Sequence, residues 1–217
     1  MKAQGVLGWL ALVGLVAGVV MAFGIAPREL TQGNVQRIMY IHVPAVWVAY
    51  LAFLLACGAS VVSLLTRRPR ADEVAHAAVE VGLVFLGLNI ASGSIWGKPT
   101  WGTWWTWDAR ITSVSVVFLI YLGYLLLRRA VDELERAARY AAVVAIIAAP
   151  NIYLVHQSVN WWRALHQPAS LLKAGGPTMP AILWLGILVN FVGFGLLAAY
   201  FVARRASLLH REAQVAA

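Results

Sequence analysis

The stretch IMYIHVPAVWVAYLAFLLACGASVVSLLT (38–66) holds no Asp, Glu, Lys or Arg; Arg37 and Arg67 bound it. A helix needs about 20 apolar residues to cross a bilayer core of about 30 Å, so this run is long enough to span. Five more charge-free runs flank it, at 3–27, 81–97, 111–127, 140–162 and 174–203. None shows the dyad alternation of a membrane β-strand. They predict an all-α integral membrane protein with six transmembrane helices, over 5–24, 43–65, 77–95, 111–128, 140–157 and 181–203. No linker, repeat or low-complexity tract divides the 217 residues, so a single unit over 1–217 is expected. The first run is too long for the apolar region of a signal peptide and reads as a helix that stays.

Composition agrees. The chain is 61% hydrophobic and only 12% charged, against roughly 25% charged in soluble domains. The formal charge of +8 suits basic loops at a membrane surface better than a nucleic-acid site. Cys57 is the lone cysteine, which excludes an intrachain disulfide and a CxxC motif; it reads as a small packing residue.

Six spans place the connectors alternately on two sides. The N-terminus, the 66–76 and 128–139 loops and the tail carry eleven Lys and Arg; the 25–42, 96–110 and 158–180 loops carry six. The basic excess predicts that both termini are cytoplasmic and that the three longer loops face outward. Within RRAVDELERAAR (128–139), Asp132 with Arg136 and Glu135 with Arg139 predict a solvated helical extension. His76 and His210, among charges on the same side, read as solvated. Asn89 and Asn190, within spans, read as helix–helix hydrogen-bonding residues.

The residues that carry chemistry lie on the outer side. SIWGKPTWGTWWTWDAR (94–110) contains Trp96, Trp101, Trp104, Trp105 and Trp107, half of the chain's ten tryptophans. Interfacial tryptophans are usually scattered over many helix ends. Here they crowd a segment interrupted by Gly97, Pro99 and Gly102. An irregular aromatic surface of this kind suits a large, flat, apolar ligand, and a porphyrin is a natural candidate. Its iron would take imidazole ligands, for which His42, His156 and His166 stand on the correct side. Arg37, Lys98 and Arg110 are candidate cations for propionates. Asp108 reads foremost as a structural residue, a helix N-cap, with orientation of Arg110 or shaping of the ligand edge as alternatives.

The same residues carry a family resemblance. WGKPTWGTWWTWDARITS resembles the tryptophan-rich WWD signature of haem-handling proteins in cytochrome c biogenesis. With QGNVQRIMYIHVPAVW (32–47) and HQSVNWWRALHQPAS (156–170), nearly the whole chain resembles the CcmC, or haem-exporter C, family of the System I pathway. Longer WWD proteins carry Pro-Lys-Glu after the Asp; here Ala109 and Arg110 follow. The resemblance implies a site for haem b, bound transiently and noncovalently at the periplasmic face of the bacterial inner membrane. By motif, His42 and His166 become the axial ligands, and Trp101, Gly102, Trp104, Trp105, Trp107 and Asp108 the WWD platform within 96–110. It further implies delivery to a CcmE-like haem chaperone, beside CcmA, CcmB and CcmD-like subunits. No nucleophile–base arrangement, phosphate loop or HExxH is present, so no enzymatic role is expected. A permanent b-type cytochrome would bury paired His in mid-span, and a transporter would carry ionisable groups there; neither pattern is seen.

Overall fold

The computed structural model describes residues 2–168, 170–171, 173 and 175–216. Ala169, Leu172 and Ala174 of the predicted 158–180 loop, and the terminal Met1 and Ala217, lie outside the described residues.

The described residues form helices and connecting loops. They are α1 (Lys2–Val19), continued by a wide turn over Val20–Ile25, then α2 (Met39–Thr66), α3 (Pro69–Trp101), α4 (Ala109–Ala130), α5 (Leu134–Ala148), α6 (Asn151–Trp161) and α7 (Ala181–Ala216). Six segments are long and apolar enough to cross a membrane, with α5 and α6 together making one of them. Apolar side chains such as Leu10, Val13, Leu51, Leu119 and Val192 point outward, as expected where the solvent is lipid. Each predicted span falls on one of the six.

Three local expectations are corrected. The fifth span is broken, because Pro150 lacks the N–H that would bond Ile146 and its ring clashes with that carbonyl. Asn151 Nδ2 donates to the Ala148 carbonyl at 3.1 Å at the break. The 128–139 stretch is a helix–turn–helix rather than a helical extension, since α4 stops at Ala130 and α5 starts at Leu134. Its ion pair is Arg136 with Glu133 at 2.6 Å. Third, the Trp-rich segment is less irregular than Gly97 and Pro99 suggest. Helix α3 runs through both to Trp101, and ends at Gly102, which adopts φ +79°. That left-handed cap, with the Gly102 amide donating to the Lys98 carbonyl at 3.0 Å, favours glycine. Only 102–108 is non-helical.

Close helix contacts hold the bundle. Phe53 of α2 stacks on Tyr121 of α4, with ring centroids 3.7 Å apart. A Cβ on Gly14 of α1 would lie 2.8 Å from the Gly193 Cα of α7, so these backbones touch. Asn190 Nδ2 donates to the Gly18 carbonyl at 3.1 Å, joining α7 to α1.

At one end, ion pairs tie α3 to α4 and α7. Arg128 grips Asp72 with two bonds of 2.6 and 2.7 Å and Arg205 pairs with Glu80 at 2.6 Å, while His210 Nδ1 lies within hydrogen-bond distance of Glu73, at 2.9 Å. His76 lies 3.4 Å from Glu80. His76 and His210 are therefore partly buried members of this network, not solvated side chains. The N-terminal part of α3 supplies the acids, and the C-terminal parts of α4 and α7 supply their partners, so their proximity comes from packing, not sequence spacing.

Candidate haem site

The opposite end of the bundle holds a cavity of about 600 Å³, lined by residues from α2, α3, α6, the 162–171 loop and α7. Ligand pockets commonly span ~300–1,000 Å³. A smaller adjoining cavity of about 80 Å³ opens toward Thr103–Thr106. His42, Trp101, Arg110 and His166 line both, so they form the wall between them.

His42 sits in the first turn of α2, against the face of α3 that carries Asn89, Ser92, Gly93 and Trp96. Its Nδ1 lies 3.0 Å from the Asn89 carbonyl. A carbonyl only accepts, so Nδ1 carries the proton and Nε2 keeps its lone pair. Asn89 Nδ2 lies nearly equidistant from Nδ1 and Nε2, at 3.1 and 3.2 Å. That position is over the ring face, since an in-plane one would collide with a ring carbon. The same amide donates to the His42 carbonyl at 3.0 Å. A Cβ on Gly93 would approach His42 Cε1 to 2.7 Å, so the imidazole rests directly on the α3 backbone. Trp96 meets its ring edge-on at 5.8 Å, and Trp96 Nε1 donates to Gln32 at 2.8 Å.

His166 lies in the loop after α6. Its Nδ1 is 3.2 Å from Asp108 Oδ2, which also accepts from the Leu165 amide at 3.0 Å. Asp108 Oδ1 accepts from the Ile111 amide at 2.8 Å and caps α4. Burial lowers the His166 pKa; the Asp108 hydrogen bond and charge oppose this only in part, and Arg110 adds to the lowering. For Asp108, burial acts upward, but the Ile111 amide, His166 and the Leu165 amide together bring the pKa below its ordinary value. Trp101 packs on His166 edge-on, with centroids 4.7 Å apart.

The structure brings together a subset of the sequence candidates. Trp101, Trp104 and Trp105 line the cavities. Trp107 does not; it is 77% exposed and packs edge-on against Trp105 at 5.4 Å. Gly102 acts as the α3 cap. Of the three cations, Arg110 reaches the site, where its guanidinium donates to the Val155 carbonyl at 2.9 Å. Arg37 instead donates to the carbonyls of Ala22 and Phe23, both at 2.9 Å, and closes the turn after α1. Lys98 donates to the Gly102 carbonyl at 3.0 Å. Neither Arg37 nor Lys98 lines either of these two cavities. His156 also lines the larger cavity.

Asn89, Ser92, Gly93, Gln32 and Tyr50 are site residues that the sequence reading did not assign to a ligand. Three residues that line the cavities carry a buried polar atom with no protein partner: Trp105 Nε1, Thr106 Oγ1 and Tyr50 Oη. Two imidazoles held through Nδ1, indole walls and one guanidinium suit a planar, iron-bearing, carboxylated ligand.

Fold and site define a multi-span helical membrane protein with an imidazole- and tryptophan-lined cavity at one end. The chain belongs to the heme exporter protein C family, whose model matches residues 1–217. It is 40% identical over 214 residues to the heme exporter protein C of Bradyrhizobium diazoefficiens, covering 95% of this chain and 80% of that protein. The Escherichia coli K12 protein of that name is 37% identical over 202 residues, with 91% and 80% covered. A putative cytochrome c biosynthesis ccmC-like mitochondrial protein of Marchantia polymorpha is 36% identical over 181 residues, with 83% and 76% covered.

Proposed function

We propose that this chain is a haem-handling membrane protein of cytochrome c maturation, with haem as its cargo rather than a resident cofactor. Haem b is held noncovalently between His42 and His166, over the indoles of Trp101, Trp104 and Trp105. The observation that carries this reading is the state of the two imidazoles. Each gives its Nδ1 proton to an acceptor of the protein, which leaves both Nε2 lone pairs for iron. Arg110 is the cation placed to meet a propionate; Arg37 and Lys98 have backbone roles.

The site faces the periplasm, with both termini in the cytoplasm of a bacterial inner membrane; the basic excess of the connectors on the ion-paired side supports this orientation. Noncovalent axial ligation suits cargo that must leave, because the two axial bonds can break one at a time. The receiver is a CcmE-like haem chaperone, and the chain works beside CcmA, CcmB and CcmD-like subunits. Trp104 and Trp107, 56% and 77% exposed, offer the receiver an aromatic surface. No reaction is catalysed on the chain, and 1–217 acts as one unit.

Absorption spectra of the purified protein test the ligand assignment. His42→Ala and His166→Ala are expected to lose the six-coordinate low-spin spectrum, while His156→Ala keeps it. Loss in the His156 variant alone would move the ligand to His156, and covalent haem on this chain after denaturing electrophoresis would exclude the carrier role.

A further inference from the structure

The two candidate ligands are fastened by chemically unlike groups. His42 Nδ1 meets a neutral backbone carbonyl, that of Asn89, at 3.0 Å. His166 Nδ1 meets the carboxylate of Asp108 at 3.2 Å, and the side chain of Asp108 is only 8% exposed. Both oxygens of that carboxylate are engaged: Oδ1 holds the α4 N-terminus through Ile111, and Oδ2 holds the 162–168 loop through Leu165 and His166.

An anionic acceptor on Nδ1 pushes electron density toward Nε2 and makes the imidazole a stronger donor than a carbonyl does. Hydrogen bonding beyond the axial ligands is one of the levers that set haem iron affinity and potential. Resting on the haem reading above, we propose that Asp108 is a positioning residue that makes the axial pair unequal. His166, backed by Asp108, is the stronger ligand to ferric iron and the one retained, and His42 is the bond that yields first when haem departs. The same carboxylate couples ligand strength to the fold. The α4 N-terminus, the loop that carries His166 and the imidazole share one side chain, so displacing the loop weakens the ligand and the cap together.

The test separates charge from capping. Asn and Ser are N-caps comparable to Asp, so Asp108→Asn and Asp108→Ser keep the Ile111 bond and remove the carboxylate. Three quantities are measured on purified, haem-reconstituted protein: ferric affinity, ferrous affinity and the midpoint potential. Both variants are expected to lose about 10–100-fold in ferric affinity, the usual effect of removing an outer-shell partner. Ferrous affinity should fall less, so the potential rises. In the haem-free protein, the Leu165 amide should exchange faster with solvent. Asp108→Glu, which restores the charge, should recover part of the ferric affinity. Equal losses for both iron states, or a potential unchanged in whichever variant folds, would overturn the proposal while leaving bis-histidine binding intact. Absence of a low-spin spectrum in the unaltered protein would instead overturn the haem reading on which it rests.

Discussion

Gly93 has no side chain to offer the site, yet its position decides how His42 is held. A Cβ there would stand 2.7 Å from His42 Cε1, and the contact atom belongs to a ring pinned by Asn89 rather than to a flexible chain end. Gly93→Ala should therefore turn the imidazole away from the cavity and weaken haem binding by roughly tenfold or more, in the range of a lost orienting contact. Titration of haem into the purified variant measures this, and unchanged affinity would mean that the ring's seat on α3 is immaterial. His166 supplies a pH dependence with a definite sign. Its folded-state pKa is depressed below the free value of about 6.5. On acidification the unfolded chain takes up its proton first, so the contribution of neutral His166 is full above about pH 6.5. It is lost progressively as pH falls from about 6.5 through the lower folded value. Haem loss in an acid titration is accordingly expected to have its midpoint below 6.5, with Asp108, also depressed, still charged in that window. A midpoint above 6.5 would contradict the buried, neutral imidazole.

At the scale of elements, charge-free length made the six spans legible, whereas the ends of helices were not. Pro99 looked like a break and is helical; Pro150 lay inside a continuous apolar run and is the break. Length and hydropathy do not distinguish them. Part of the site was readable in the same way. The five tryptophans and the outer-side His42, His156 and His166 stand out by type, and the family resemblance alone singles out His42 and His166 as candidate ligands. The cradle of His42 does not, although Asn89, Ser92, Gly93 and Trp96 follow the i, i+3, i+4, i+7 spacing of one helical face. The three candidate cations could not be ranked from the chain, since the carbonyls that capture Arg37 and the one that captures Lys98 are set by backbone turns. The α1–α7 seam makes a prediction of its own. Gly14→Ala forces a methyl to within 2.8 Å of the Gly193 Cα, where no side chain can move aside. Overpacking of this kind costs about 1–3 kcal/mol. Thermal unfolding in detergent should show a lowered midpoint, and an unchanged one would mean that the two helices separate without cost. The low-spin spectrum of the folded fraction should be unaltered, because α1 lines neither cavity.

Across the whole molecule the two ends of the bundle differ in chemistry. One is latched by Asp72–Arg128, Glu80–Arg205 and Glu73–His210; the other holds the cavity, the exposed indoles and the loop that carries His166. The ion-paired end coincides with the connectors that bear eleven of the seventeen Lys and Arg, and a basic excess marks the cytoplasmic side of short loops. On the orientation proposed above, the cavity opens on the periplasmic side, where an acceptor could reach it without crossing the bilayer. Single cysteines decide this in a Cys57→Ser background, which removes the only native thiol. Lys98 and Arg68 are both exposed, one at each end. Lys98→Cys should react with a membrane-impermeant maleimide in intact cells, while Arg68→Cys reacts only after the inner membrane is opened. The reverse pattern would put the cavity in the cytoplasm, and delivery to a periplasmic acceptor would fail with it. Labelling of both cysteines in intact cells would show a chain inserted in two orientations, which an imbalance of eleven to six should prevent.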